Sequence, residues 1–388
     1  MVRRVGLVAI AAALAVLAIV SAASARPASP AASAAAGASC SKGVSIGMQA
    51  PITGPAGSIG ADQLHWAEFY FTQWNKTHKL KIKLVQEDTQ LDPSKASTTA
   101  QALASNASVM GVIGPAGSDE VQAVAPIFKK AGLAFASGSA TRVSLTNGAW
   151  KGYFFRDVPN DGVQGPTDAN YMMSHLGVTS GSKVMVVDDQ ESYSTGLADI
   201  VQQTLTAKGV TVDRESVSQK DTDFSSLVAK VDSSTKVVFL PFQVASEAQL
   251  FAQQLQAQGK SAIVFGSDGD FDSTKFTQNG AYVSFFAPDV TTIPEDSSIV
   301  TAFHKQFPGA TSPFGAPNFV LAQMYAAAAT TACKDGTISR AELRKDFAGV
   351  HLKATILGGP MSFTAGGDVA GAKFHIFKIE NGNYVTVA

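Results

Sequence analysis

Four short segments of this chain carry side chains able to hold a small charged molecule, and each follows an apolar run of strand length. Ser118 comes just after Ile113 and Gly114 and just before a helical stretch, so its hydroxyl and the free N–H groups of the helix start suit a carboxylate. The same placement also suits an ordinary serine N-cap. Ser139-Ala140-Thr141 repeats the geometry after the next strand. Its backbone C=O and N–H groups and the Thr141 hydroxyl offer partners for an ammonium and a carboxylate together, or form a plain polar turn before Leu145. Tyr193, at a later strand-to-helix loop, can cover an apolar group and donate one hydrogen bond, or simply pack. Asp268 follows another strand, in Gly266-Ser267-Asp268-Gly269. Solvated there it needs no partner; enclosed, it must be paired, because an isolated buried charge is heavily penalised.

The elements that present these residues alternate. Val44–Ala50, Lys81–Glu87, Val109–Ile113 and Leu133–Ala136 read as strands, separated by helical patterns at Ala61–Asn75, Ser94–Ala104 and Glu120–Lys130. After Asp157 the order starts again, with helices predicted at Gln164–Leu176, Thr195–Lys208, Phe224–Val231 and Glu247–Gln258. Between them lie strands at Lys183–Val187, Thr211–Val217, Lys236–Leu240 and Ala262–Phe265. This is a parallel α/β pattern written twice, and open sheets of that kind bind ligands beyond the carboxyl ends of their strands. Tyr282–Ala287 then leads to helices at Ile299–Phe307, Asn318–Ala332 and Arg340–Ala348, and Met361–Val387 reads as short strands with turns such as Asn381-Gly382-Asn383. The chain is expected to cross between its domains more than once. At 388 residues and 45% hydrophobic it exceeds what one core usually holds. Ala248, Phe251, Ala252 and Leu255, and the stretch His65–Phe71, read as core-facing helix stripes.

The amino terminus reads as an export label. Arg3 and Arg4 precede an apolar run from Val5 to Val20, and Ala23-Ser24-Ala25 has the small residues a signal peptidase requires, so residues 1–25 are assigned to a signal peptide cleaved after Ala25. The run is shorter than the ~20 residues of a membrane span. Ala, Ser and Pro dominate the segment that follows, and 26–42 is read as a flexible spacer. Cys40 and Cys333 are the two cysteines; in an exported chain they can pair, stay as separate thiols, or, for Cys40, carry a lipid anchor.

Removing Arg3 and Arg4 from 30 basic residues leaves 28 against 31 acidic ones, a net charge of −3. With no Lys/Arg stripe to displace counterions, nucleic acid is not an expected partner. Gly54–Gly60 does not fit G-x-G-x-x-G, no full P-loop G-x-x-x-x-G-K-[ST] occurs, and there is no G-x-S-x-G elbow. The histidines at 65, 78, 175, 304, 351 and 375 form no i, i+4 pair. Neither a metal, nor a cofactor, nor enzymatic catalysis is expected.

Seven segments in fixed order give a sharper reading. They are Ile46-Gly-x-x-x-Pro51-x-Thr53-Gly54-Pro55 with Gly60 behind it, Glu87–Pro93, Val112–Ser118, Ser139-Ala140-Thr141, Phe155–Asp161, Tyr193–Leu197 and Gly266–Gly269. In these the chain resembles the extracytoplasmic solute-binding proteins of ABC transporters, in particular the branched-chain amino-acid (Leu/Ile/Val-type) binding family, from about Val44 to Val387. The resemblance implies the periplasmic-binding-protein type I fold, with two Rossmann-like lobes joined by three crossovers that close on a ligand. The expected map is 43–158 with 290–356 for the first lobe and 159–289 with 357–388 for the second.

It also implies that Ser118, Ser139, Ala140 and Thr141 hold the ligand on the first lobe, and that Tyr193 walls it from the second while Asp268 meets its ammonium. The implied role is capture of a branched-chain or other apolar amino acid and delivery to ABC permease subunits, by a monomer in the periplasm or at the cell surface. A ligand-sensing module of the same fold, for amides, urea or aromatic acids, is the alternative, and an exported enzyme a remoter one. Two departures bear on the ligand. Pro241-Phe242-Gln243 stands where the family often has a Gly-Gly-Tyr-type segment, and Gly117 where enteric relatives have a disulfide cysteine, so a Cys40–Cys333 bond would be a different one.

Overall fold

The computed structural model describes residues 38–310, 312–371 and 373–388. The signal peptide assigned to 1–25 and the spacer up to 37 lie outside the described residues. The last part of that spacer is ordered, which corrects the reading of 26–42 as flexible throughout. Strand β1 (Ala38–Ser39) and a 3-10 turn at Cys40–Lys42 precede β2 (Val44–Ala50). The first half continues with α1 (Gly57–Thr77), β3 (Ile82–Asp88), α2 (Pro93–Ser105), β4 (Val109–Ile113), α3 (Ser118–Lys130), β5 (Ala134–Ser137) and β6 (Phe154–Arg156). These strands form a parallel sheet in the order β3-β2-β4-β5-β6.

The pattern restarts with α4 (Asp161–His175), β7 (Lys183–Asp188), α5 (Ser192–Ala207), β8 (Thr211–Ser216), α6 (Ser225–Val228), β9 (Thr235–Leu240), α7 (Ala245–Ala257), β10 (Ile263–Gly266) and β11 (Tyr282–Phe285). The helix expected at Phe224–Val231 is thus a single turn. The chain then supplies α8 (Ser297–Gln306), α9 (Gly315–Ala332), β12 (Thr337–Ile338), α10 (Arg340–Ala348), β13 (His351–Leu352) and β14 (Met361–Ser362) to the first lobe. Finally β15 (His375–Glu380) and β16 (Asn383–Thr386) close the second sheet, whose order is β16-β15-β11-β10-β9-β7-β8. Its last two strands are an antiparallel hairpin turned by Asn381 and Gly382, both with positive φ, as a two-residue hairpin loop requires.

Both faces of each sheet are covered, so inner strands such as β4, β7 and β9 are nearly continuous apolar runs. In the first lobe α1, α8, α9 and α10 pack on one face and α2 and α3 on the other. Helix α9 is apolar on all sides and buried along most of its length; Tyr325 pins it to the sheet by donating to the carbonyls of Val112 (2.9 Å) and Ala134 (3.1 Å). Gly60 lets α1 approach the end of β2, since a Cβ there would stand 2.2 Å from the Pro51 carbonyl oxygen.

One domain boundary moves. Met361 is part of the first lobe's core, and Phe363 and Val369 pack against it, so this lobe runs past the boundary drawn at 356/357. The third crossover comes just before Phe374, which belongs to the second lobe's core. Cys40 and Cys333 form a disulfide that fastens the first ordered turn to the end of α9, where β1 pairs with β12. That bond occupies the sulfur a lipid anchor would need. No helix of the described residues is long and apolar enough to cross a membrane.

Candidate functional site

In each sheet the strand order reverses next to a first strand, β2 or β7, and the loops beyond those switch points face each other across the interlobe cleft. From the first lobe comes the turn between β4 and α3. Gly117 is the helix N-cap and Ser118 its first residue, so the serine is not the cap. The Gly117 N–H instead donates to Glu120 Oε2 (2.8 Å), and burial pushes the Glu120 carboxyl up to about 7. That leaves the Ser118 N–H pointing out of the helix start, while its hydroxyl accepts from the Arg142 N–H (3.2 Å).

The loop after β5 is held from behind. Arg156 is fully buried and donates to the carbonyls of Ala140 (3.1 Å) and Arg142 (2.7 Å), to Thr146 Oγ1 (2.9 Å) and to Asp368 Oδ1 (2.6 Å). The Ala140 N–H donates to Ser137 Oγ (2.9 Å) and its methyl joins the first lobe's core. Ala140, expected to offer its backbone to a ligand, is therefore already engaged inside the lobe and does not line the cleft. The groups left open on either side are the Ser139 carbonyl, the Thr141 N–H and the buried Thr141 hydroxyl, none of which has a hydrogen-bond partner among the described residues. The Ser139 hydroxyl itself is used up, donating to the Ala116 carbonyl (2.9 Å) and accepting from Gln63 (2.8 Å).

The second lobe answers with an acidic wall. Tyr193, in the first turn of α5, donates to Asp268 Oδ1 (2.6 Å), with Ser267 Oγ 2.7 Å from its oxygen. Gln164 donates to the same Asp268 oxygen (2.6 Å) and lies 3.0 Å from Ser284 Oγ, which in turn reaches Asp168. Burial pushes Asp268 up to about 6, and the bonds from Tyr193 and Gln164 act in the opposite sense. Burial likewise pushes Asp161 up to about 7, with the Thr141 side chain opposing and Asp268 adding to the rise. Neither Asp161 oxygen has a hydrogen-bond partner by geometry among the described residues.

Between the lobes is a space of about 390 Å³, counted to its mouth and including solvent open to the outside. Ser118, Ser139, Tyr193 and Asp268 line it, together with Pro51, Ile59, Leu91, Phe314 and Gln243. Thr141 is not among these lining residues; its side chain lies beside Asp161. The lining combines polar and charged groups with apolar side chains. Direct contacts between the lobes flank it. Asp119 Oδ1 accepts from the Ser192 N–H at the start of α5 (2.7 Å), Arg142 Nη1 donates to the Ser192 carbonyl, and Ser58 donates to Asp272 (2.8 Å).

Sequence reasoning missed Asp161, Gln164, Ile59, Leu91 and Phe314. Asp161, Gln164 and Asp168 recur at helical spacing on the buried face of α4, and polar residues on a core-facing stripe were the available signal. Gln243 had been noted only as a departure; it lines the space and its amide reaches Asp119 (3.3 Å).

The profile of the periplasmic binding protein family matches residues 43–383. Among curated proteins, Leu/Ile/Val-binding protein homolog 3 of Brucella melitensis is 28% identical over 354 residues, 88% of this chain and 93% of that one. Among solved structures, the branched-chain amino acid transporter substrate-binding protein LivJ of Streptococcus pneumoniae, in complex with isoleucine, superposes with a TM-score of 0.78 at 22% identity, covering 89% of this chain and 99% of that one. The leucine-binding protein LivK of Thermotoga maritima gives 0.79 at 19% identity, covering 89% and 98%. The similarity to these structures supports the two-lobed type I fold, and by the span of the profile the chain belongs to the periplasmic binding protein family.

Proposed function

We propose that this protein captures an apolar α-amino acid, of the branched-chain type, by closing its two lobes on it, and hands it to the permease of an ABC transporter after export from the cytoplasm. The observation that carries this is the meeting of two chemistries in one interlobe space. The Ser118 helix start and the Thr141 N–H offer donors for a carboxylate, and the Ser139 carbonyl, the Thr141 hydroxyl and Asp268 offer acceptors for an ammonium. Pro51, Ile59, Leu91 and Phe314, in the same lining, suit an aliphatic side chain. Curated relatives named for leucine, isoleucine and valine binding support the same reading.

The same geometry supports binding: the Ser118 hydroxyl accepts from the Arg142 N–H, and the Ser139 hydroxyl is engaged by the Ala116 carbonyl and the Gln63 amide. Titration calorimetry against leucine, isoleucine, valine, phenylalanine, acetamide, urea and benzoate tests the proposal. Tightest binding of an aliphatic amino acid supports it; binding confined to amine-free solutes overturns it in favour of the amide or aromatic-acid alternative.

A further inference from the structure

Gln90 and Leu91 are consecutive non-glycine residues with left-handed backbone, at φ 55° and 60°, on the loop between β3 and α2. That conformation is disfavoured for leucine, which has no polar group to compensate locally, and it persists only where its surroundings impose it. Here they do. Asp88 accepts from the Gln90 N–H (3.1 Å) and from the Thr53 hydroxyl (2.5 Å), and Gln90 donates back to Thr53 (2.9 Å). Asp92 is fixed as the cap of α2 by the N–H groups of Ser94 and Lys95.

Core packing does not explain the strain. Leu91 is only half-buried and belongs to none of the four hydrophobic cores, nor to the residues packed against them. Its side chain instead lines the interlobe space, directly over Gly117, where a Cβ would stand 3.0 Å from Leu91 Cδ1. Glycine at 117 leaves the room that the leucine fills.

We infer that Leu91 is a specificity-determining residue: the left-handed turn aims it into the ligand space beside Gly117, where it limits the size of side chain admitted and favours aliphatic over aromatic solutes. This rests on the amino-acid reading above. The test compares wild type, Leu91→Ala and Leu91→Gly by calorimetry against leucine, phenylalanine and their amine-free counterparts 4-methylvalerate and 3-phenylpropionate, with thermal unfolding of each ligand-free protein.

Both truncations are expected to move the phenylalanine-to-leucine affinity ratio toward phenylalanine by about tenfold or more, the scale of one or two methylenes in an apolar pocket. Leu91→Gly is expected to unfold no lower than Leu91→Ala, since glycine takes a left-handed φ freely. Equal changes for both ligands in each size pair, or a wild type that prefers the aromatic member, overturn the inference. A wild type that binds only the amine-free acids overturns the amino-acid reading instead, and the size ratio within that pair still reads Leu91. No binding of any of the four overturns both.

Discussion

Replacing Asp268 by asparagine keeps the side chain's shape and removes its charge. In the structure Asp268 Oδ1 takes both protein donors, Gln164 and Tyr193, and an amide oxygen can accept both equally well. What the variant loses is the charge opposite a ligand ammonium in a water-poor cleft. Breaking such a pair costs about 2–5 kcal/mol, which is roughly thirty- to several-thousand-fold in Kd.

The protonation of Asp268 gives a second, independent signature. Burial raises its pKa to about 6, above the ordinary 3.8, so ligand-free protein binds this proton more tightly than unfolded chain does. An arriving ammonium favours the carboxylate, and binding then expels the proton. Wild-type affinity is therefore predicted to rise with pH up to about 6 and to level off above it, with about a tenfold loss at pH 5. For ligand-free folding the sign is opposite. The native state's stability falls as pH rises between about 4 and 6, and Asp268→Asn removes up to about 3 kcal/mol of that loss. Calorimetry in two buffers of different ionisation enthalpy reads Kd and proton release together, any residue of release in the variant belonging to Asp161. Unchanged Kd and unchanged proton release in Asp268→Asn for an amino acid that wild type binds tightly would refute the ammonium assignment.

Thr141→Ala strands one hydrogen-bonding group instead of a charge, so calorimetry should show a smaller loss, about 1–3 kcal/mol or roughly five- to 150-fold in Kd. Asp119→Ala releases the N–H of Ser192 and the amide of Gln243, which lines the ligand space; stopped-flow measurement should find dissociation faster by about five- to thirty-fold. Cys40→Ser with Cys333→Ser opens a loop spanning 293 residues; chain entropy sets roughly 5 kcal/mol as the ceiling of the stability lost, read by calorimetric unfolding, with ligand affinity unchanged.

The repeated α/β pattern was legible because its inner strands are nearly continuous apolar runs and helices such as α3 and α7 have one-sided stripes, and both sheets form as that alternation dictates. Ser118, Ser139, Tyr193 and Asp268 were legible for a related reason: each lies just past a strand's carboxyl end, where a parallel sheet leaves backbone groups open. The engagement of the Ala140 carbonyl was not legible because its donor, Arg156, sits sixteen residues away, and nothing in a local motif announces it. Leu91 and Phe314 escaped notice because an apolar residue in a loop looks like ordinary packing until the two lobes are set against each other. The first lobe's extension through Val369 was hidden in the same way, since Asp368 belongs there by pairing with Arg156 across 212 positions.

The central claim is that the cleft encloses an aliphatic α-amino acid. Its most direct test is mass spectrometry of the small molecules released when the protein, freshly purified from its own host and never refolded, is denatured. Leucine, isoleucine or valine recovered at close to one per chain is the result predicted here. A stoichiometric amine-free solute, such as an amide or an aromatic acid, would contradict it.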